Sequence, residues 1–345
     1  MQLTEVSTPA LCVDLDAFER NLERMHGFFA GKPCQVRPHV KAHKTPAIAH
    51  RQRDAGVIGF CCATVGEAEV FADAGFDDLL IANEVCDPTK VERLRALADR
   101  VTLTVAVDSE AAAAIIAGTG ARVLVDVNVG LPRCGARPEH AVDVARAAER
   151  SGLRVVGVMG YEGHATVVGD TDERAKVARS SMEILVGVAD DVREAGFDVG
   201  IVSAGSTLTY DVTGTYPGVT EVQVGSYALM DTEFAKSSPF EEALRCLTTV
   251  ISVQRNIAVL DAGLKTMSTD HGDPSLPDDV AADVLFLSDE HTTVALRDGW
   301  TQRVGDRVWL RPSHVDPTVN LHDRLYAFRG DVVSEVWDVA ARGYT

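Results

Sequence analysis

Four short stretches of this chain hold residues whose types and spacing could do chemistry. Residues 36–46 read V-R-P-H-V-K-A-H-K-T-P and gather Lys41, His43 and Lys44, with Arg37 and His39 just before them. In a chain whose formal charge is −18, such a cluster points to an anionic ligand as readily as to a solvated basic loop. Gly205-Ser206-Thr207 and Gly225-Ser226-Tyr227 offer glycines that let backbone N–H groups approach a phosphate, with hydroxyls as further donors. Either triplet alone reads as an ordinary turn; two of them at successive strand ends favour a phosphate site. Arg133, in G-L-P-R-C-G, supplies a fixed planar donor, and Tyr161 and His164 share the run Y-E-G-H. His314 and Asp316 stand two apart, on one face if the backbone is extended, and imidazole with carboxylate is a usual divalent-metal pair. A surface arginine, a lone histidine and a bare H-x-D are each common, so none of the last three settles a site by itself.

The elements that must position these residues alternate in type. Apolar strand-like runs fall at 34–36, 57–64, 78–83, 101–107, 122–129, 153–161, 201–204 and 221–229. Helical stretches lie between most of them, opening near residues 46, 66, 88, 109, 138 and 173. Thr45 is placed as N-cap of the first, with Pro46 at its first helical position. Near-continuous apolar strands alternating with helices indicate a parallel sheet covered on both faces. Eight such units predict an α/β fold of the (β/α)8 TIM-type barrel class. No G-x-G-x-x-G follows the first strand, which argues against an open dinucleotide-binding sheet. In a barrel, function gathers at the C-terminal ends of the strands. Lys41, Thr64, Asn83, Asp108, Arg133, Tyr161, His164, Gly205 and Gly225 all fall there.

From about residue 241 the character changes. Residues 248–256, 257–261, 284–287, 292–296, 307–310 and 331–339 read as strands, with turn signals at Asp298-Gly299 and Gly305-Asp306. This predicts a mostly β C-terminal domain, joined by an N-terminal strand at 10–14, with residues 15–29 as the helix leading into the barrel. The expected division is a barrel over 15–240 and a β domain built from 1–14 and 241–345.

Composition excludes several classes. Apolar residues are 46 % and charged ones 24 %, an ordinary globular mix. The net negative charge opposes nucleic-acid partners and anionic membrane surfaces. None of the seven cysteines forms a C-x-x-C pair, and they read as small buried hydrophobes in a reducing compartment. Residues 1–10 have no apolar signal-peptide core, and no apolar run reaches the roughly 20 residues of a membrane span. A cytoplasmic location is the expectation.

The string R-P-H-V-K-A-H-K-T at 37–45 resembles the signature of the D-threonine aldolase and D-serine dehydratase family, pyridoxal 5'-phosphate (PLP) enzymes of alanine-racemase-like fold. The family usually has Thr where this chain has Ala42. V-S-A-G-S-T and T-E-V-Q-V-G-S-Y-A-L-M-D are similar to its phosphate-holding elements, and P-S-H-V-D-P-T-V-N-L to its metal-binding segment. The resemblance implies that Lys41 carries PLP and that Ser206, Thr207, Gly225, Ser226 and Tyr227 hold its phosphate. It places Arg133 near the cofactor's phenolate oxygen or the substrate carboxylate, Tyr161 against the cofactor, and His164 toward the substrate as a catalytic group. Gln223, on the same strand face as Gly225, could approach the pyridine nitrogen. His314 and Asp316 become the metal ligands, and Asp261, Lys265, Glu290 and His291 supporting residues of the β domain. The dehydratase branch has Cys where this chain has Asp316, and a hard oxygen favours Mn2+ or Mg2+ while leaving Zn2+ open. The expected activity is aldol cleavage of D-threonine-like D-3-hydroxy amino acids to glycine and an aldehyde, by a homodimer. D-serine or 3-hydroxyaspartate dehydration is the alternative. A racemase needs a second base, which is not identifiable, and a non-catalytic PLP-binding protein would lack the β domain and its metal pair.

Overall fold

Strand β1 (Ala10–Asp14) is an apolar run that ends on a carboxylate. Asp14 Oδ1 accepts the amides of Asp16 at 3.1 Å and Ala17 at 3.3 Å, which starts helix α1 (Leu15–Phe29) directly behind the strand. The structure is a computed structural model that describes residues 1–343. It contains two compact units, one of residues 26–41 and 49–225, the other of residues 1–25, 42–48 and 226–343.

The first unit is a parallel eight-stranded sheet with helices between its strands. In chain order the strands are β2 (Gln35–Val36), β3 (Phe60–Cys62), β4 (Asp78–Ile81), β5 (Thr102–Val107), β6 (Arg122–Asp126), β7 (Arg154–Met159), β8 (Ile201–Ala204) and β9 (Glu221–Val222). The helices are α2 (Pro46–Asp54), α3 (Val65–Asp73), α4 (Pro88–Ala98), α5 (Glu110–Ile115), α6 (Ala141–Arg150), α7 (Gly163–Thr166), α8 (Thr171–Glu194) and α9 (Tyr210–Thr213). Each strand pairs with its sequence neighbour from β3 to β9, and β9 pairs with β2. The sheet closes between β2 and β3, where Ile58 N–H donates to the Val36 carbonyl at 3.2 Å and Cys61 N–H to the Pro38 carbonyl at 2.8 Å. The expected barrel is therefore formed.

Capping residues set the helix starts. Thr64 accepts from Glu67 N–H, Asp87 from Thr89 N–H, Ser109 from Ala112 N–H, and Asp170 from Asp172 and Glu173 N–H. The barrel interior buries Cys61, Leu80, Ala106, Leu124, Val156 and Met159. Arg37 joins them. Its guanidinium bonds Asp78 at 2.7 Å and Glu221 at 3.0 Å, with its side chain 5 % exposed. It belongs to the barrel's internal ion network, not to a basic surface loop. Gly59 makes this possible, because a Cβ there would lie 2.3 Å from Arg37 Nη1.

The second unit is antiparallel for the most part. Beyond α10 (Thr232–Ala235) come β10 (Leu244–Gln254), β11 (Ile257–Leu260), β12 (Ala282–Leu287), β13 (Thr292–Leu296), β14 (Arg307–Leu310), α11 (Val315–Asn320), β15 (Arg324–Arg329) and β16 (Val332–Asp338). The sheet order is β12-β13-β11-β10-β1-β15-β16, with β14 on β10. β1 sits centrally, antiparallel to β10 and parallel to β15. Leu3, Val6, Ala10, Cys12, Leu247, Phe328 and Val333 form its core, covered by Trp309, which stacks on Phe328 at 5.3 Å.

Two local expectations fail, and one further strand is present. The run 221–229 is a strand only at Glu221–Val222; a 3-10 turn follows at Ser226–Ala228, closed by Leu229 N–H on the Ser226 carbonyl at 3.2 Å. Residues 315–320 are helical, so His314 is the N-cap and Asp316 lies in the first turn, not on one extended face. Pro317 is compatible with that turn because first-turn amides have no intrahelical acceptor. Residues 324–329 form a strand that buries Leu325, Ala327 and Phe328.

Candidate active site

The barrel places the candidate residues at the C-terminal ends of its strands. Lys41 follows β2 on a 3-10 turn at Val40–Ala42, and its residue surface is exposed. It is the last residue of the barrel unit before the chain enters the other. Lys44, three residues on, has φ +51° and directs Nζ to the Ala341 carbonyl at 3.5 Å. His43 is fully buried and its Nδ1 accepts the Thr45 amide at 3.1 Å.

Arg133 extends from the loop after β6, and its guanidinium lies 5.3 Å from the centre of the Tyr161 ring, which follows β7. His164 sits on α7. The Ser181 hydroxyl donates its only proton to the Val129 carbonyl at 3.0 Å, so its 3.4 Å contact with His164 Nε2 requires Nε2 to be the donor. Nδ1 then carries the lone pair, and it is buried without a partner among the described residues. Gly130 leaves room for this ring, since a Cβ there would stand 2.8 Å from it.

Ser206 and Thr207 lie in the loop after β8 and are 7 % and 2 % exposed. A residue outside the sequence-derived set organises that loop. Glu162, fully buried, accepts from Gly205 N–H at 3.1 Å, Thr209 Oγ1 at 2.6 Å and Thr213 Oγ1 at 2.6 Å. Thr209 Oγ1 in turn accepts the Ser206 amide at 3.0 Å. Only its place between Tyr161 and the Gly163-His164 pair could have hinted at this role.

Gln223 lies just beyond β9. Its Oε1 accepts Cys61 Sγ–H at 3.1 Å, and its Nε2 donates to Ser203 Oγ at 2.8 Å, which donates to Glu221 at 2.8 Å. One amide N–H of Gln223 remains outside these contacts, enough to meet an acceptor but not to supply a charge. Gly225 closes the barrel unit, and Ser226 and Tyr227 open the next one, where the Tyr227 ring packs fully buried against Phe240 at 5.8 Å.

A second acidic feature also escaped the sequence reading. Asp126 ends β6, 7 % exposed, beside Glu84. Burial first, and then the neighbouring Glu84 carboxylate, push its carboxyl up to about 8, with Arg133 opposing. Glu84 Oε1 is buried without a partner among the described residues. Glu84 also lines a cavity of about 210 Å³ with Thr64, Asn83, Cys86 and Lys90.

In the β unit, His314 Nδ1 lies 2.7 Å from Asp270 Oδ2, and His271 stacks on the His314 ring. These three residues form a candidate metal-binding group; Asp316 is outside it. All seven cysteines are free thiols, five of them buried. Among the described residues no helix is long and apolar enough to cross a membrane.

These donors suit the groups they would have to hold. A primary amine, a guanidinium over a phenol and buried hydroxyls share one barrel face, and His164 Nδ1, unpartnered among the described residues, leaves a proton acceptor there. His314 with nearby carboxylates suits a hard divalent ion.

Comparison with known proteins agrees on the architecture. The family described as alanine racemase, N-terminal domain, matches residues 13–233, and the one described as putative serine dehydratase domain matches residues 243–328. A D-threonine aldolase of an Arthrobacter species is 36 % identical over 99 % of this chain and 94 % of its own length. A 3-hydroxy-D-aspartate aldolase of Paracoccus denitrificans is 35 % identical over the same shares. The crystal structure of D-threonine aldolase from Filomicrobium marinum superposes with a TM-score of 0.96 at 38 % identity, covering 99 % of this chain and 97 % of that one. This chain thus belongs to the D-threonine aldolase and D-serine dehydratase family of alanine-racemase-like enzymes, and the relatives that are 35 % or more identical to it over nearly its whole length are carbon–carbon lyases.

Proposed function

We propose that this chain is a PLP- and divalent-metal-dependent aldolase that cleaves D-threonine-like D-3-hydroxy amino acids to glycine and an aldehyde, working as a cytoplasmic homodimer. The observation that carries this reading is the near-full-length likeness to aldolases acting on D-3-hydroxy amino acids. The aspartate at position 316 supports it, because a hard oxygen beside His314 favours Mn2+ or Mg2+ over Zn2+. In this reading the barrel over 15–240 holds the cofactor and the β domain of 1–14 and 241–345 holds the metal.

When bound, PLP supplies a sink for the electron pair left on Cα, and the divalent ion acidifies the β-hydroxyl. Lys41 is the amine that anchors the cofactor, and its Nζ can return a proton to Cα of the departing glycine. Ser206, Thr207, Gly225, Ser226 and Tyr227 are assigned to the phosphate. Tyr161 and Gln223 are assigned to the ring; a neutral amide there holds a proton on the pyridine nitrogen less firmly than a carboxylate would. Arg133 is assigned to the phenolate oxygen or the substrate carboxylate, with its guanidinium already placed by the Tyr161 ring. His164 Nδ1, its tautomer set by Ser181, is the acceptor for the β-hydroxyl proton.

The test is product analysis after incubation with D-threonine. Glycine and acetaldehyde in equal amounts are expected; 2-oxobutanoate and ammonia would make the chain a dehydratase.

A further inference from the structure

Asp270, His271 and His314 have ligand-type atoms all within 4.8 Å of one another in the β unit. Two arrangements could follow: three ligands on one ion, or one ligand held by two supports. Two geometric facts decide between them.

The first is the His314 Nδ1 to Asp270 Oδ2 separation of 2.7 Å. Neighbouring ligands of an octahedral ion with bonds of roughly 2.1 Å stand roughly 3 Å apart, and tetrahedral ones farther. The observed separation is instead the length of an N–H donated to a carboxylate. The second is the stacking of His271 on His314, with centroids 3.9 Å apart and planes 4° from parallel. An imidazole lone pair lies in its ring plane, so an ion in the plane of one ring lies well off the plane of the other. In this arrangement the two histidines cannot share an ion.

The carboxylate is itself held in place. The Ser268 hydroxyl donates to Asp270 Oδ1 at 2.6 Å. The Ser268 amide donates to Thr318 Oγ1 on α11 at 3.1 Å, and the Ser313 hydroxyl to the Gly272 carbonyl at 2.6 Å. The loop 268–272 is thus fastened at both ends to the segment that carries His314 and Asp316.

We propose that Asp270 is a positioning residue for His314: it holds the imidazole through Nδ1–H, fixes the tautomer, and leaves Nε2 as the only atom that can bind the metal. His271 covers the face of that ring and is not a ligand. The inference rests on the reading of His314 as a metal ligand. Carboxylates that orient a metal-binding histidine in this way typically change metal affinity 10- to 100-fold when removed.

The experiment titrates Mn2+ into the PLP-loaded, chelator-stripped full chain by calorimetry. Asp270→Ala is expected to weaken Mn2+ binding about 10- to 100-fold while the metal-free protein melts where the wild type does. Asp270→Asn is expected to lose less, because its side-chain carbonyl can still accept Nδ1–H. Wild-type affinity in Asp270→Ala would overturn the proposal. So would a loss as complete as that of His314→Ala, or abolished binding in His271→Ala, since either would make the residue a ligand. If Asp270→Ala fails to fold, Ser268→Ala removes one anchor of the carboxylate and should weaken binding by a smaller factor; unchanged affinity there would also overturn it. Wild-type affinity in His314→Ala would refute the underlying metal assignment instead.

Discussion

The Glu162 carboxylate accepts the Thr209 hydroxyl at 2.6 Å, and through it the loop after β7 sets the conformation of the loop after β8. Glu162 also holds Thr213 and the Gly205 amide, all inside the barrel unit. Glu162→Ala would leave these donors buried and unpaired, at a cost of about 3 kcal/mol or more. Glu162→Gln keeps one acceptor but turns an NH2 group toward a donor, and should cost about 1–3 kcal/mol. Urea unfolding measures both, and the PLP dissociation constant should rise in each variant. Unchanged stability in Glu162→Ala would contradict this arrangement.

Arg37 sits between Asp78 and Glu221 with little exposure. Removing it leaves Glu221 buried with only the Ser203 hydroxyl of its present side-chain partners. Arg37→Ala should therefore cost about 3–5 kcal/mol in urea unfolding. A loss under about 1 kcal/mol, as expected of an exposed ion pair, would show that the network is solvated.

The alternation of strands and helices from β2 to β9 is legible because each element is locally amphipathic or apolar and carries its own cap, as at Thr64, Ser109 and Asp170. Groups whose role depends on distant partners were not legible. Arg37 looked like part of a surface cluster because Glu221 lies 184 residues away, and Asp270 was silent because His314 lies 44 residues away. The helix at Val315–Asn320 was hidden by Pro317, which usually interrupts helices but is tolerated in a first turn. Glu162 was not legible because its three donors come from another strand end.

Asp126 makes stability depend on pH. Its carboxyl is raised from the ordinary range near 4 to about 8 by burial and by Glu84. In that window the folded chain keeps a proton that the unfolded chain releases, so stability falls as pH rises from about 4 toward 8. Asp126→Asn removes this slope. Melting temperatures at pH 5 and pH 8 should show the variant gaining relative to wild type at pH 8; parallel pH profiles would contradict the assignment.

Metal removal should separate activity from fold. With two protein ligands assigned, His314 and Asp316, the ion is expected to keep positions for water and substrate, as catalytic sites do. EDTA should stop turnover while bound PLP stays and the melting temperature shifts little, and Mn2+ should restore more activity than Zn2+. Asp316→Cys should raise zinc affinity and lower aldol cleavage. Unfolding on chelation would make the ion structural.

The branch of chemistry turns on which bond at Cα breaks. Aldol cleavage needs a base at the β-hydroxyl, assigned here to His164, and leaves the α-hydrogen in place. Dehydration needs that hydrogen removed by Lys41. The direct measurement is turnover of D-threonine deuterated at Cα, with mass analysis of the products. The aldolase reading predicts deuterium retained in glycine and no primary isotope effect; a large primary effect, with deuterium lost to solvent and 2-oxobutanoate formed, would contradict it.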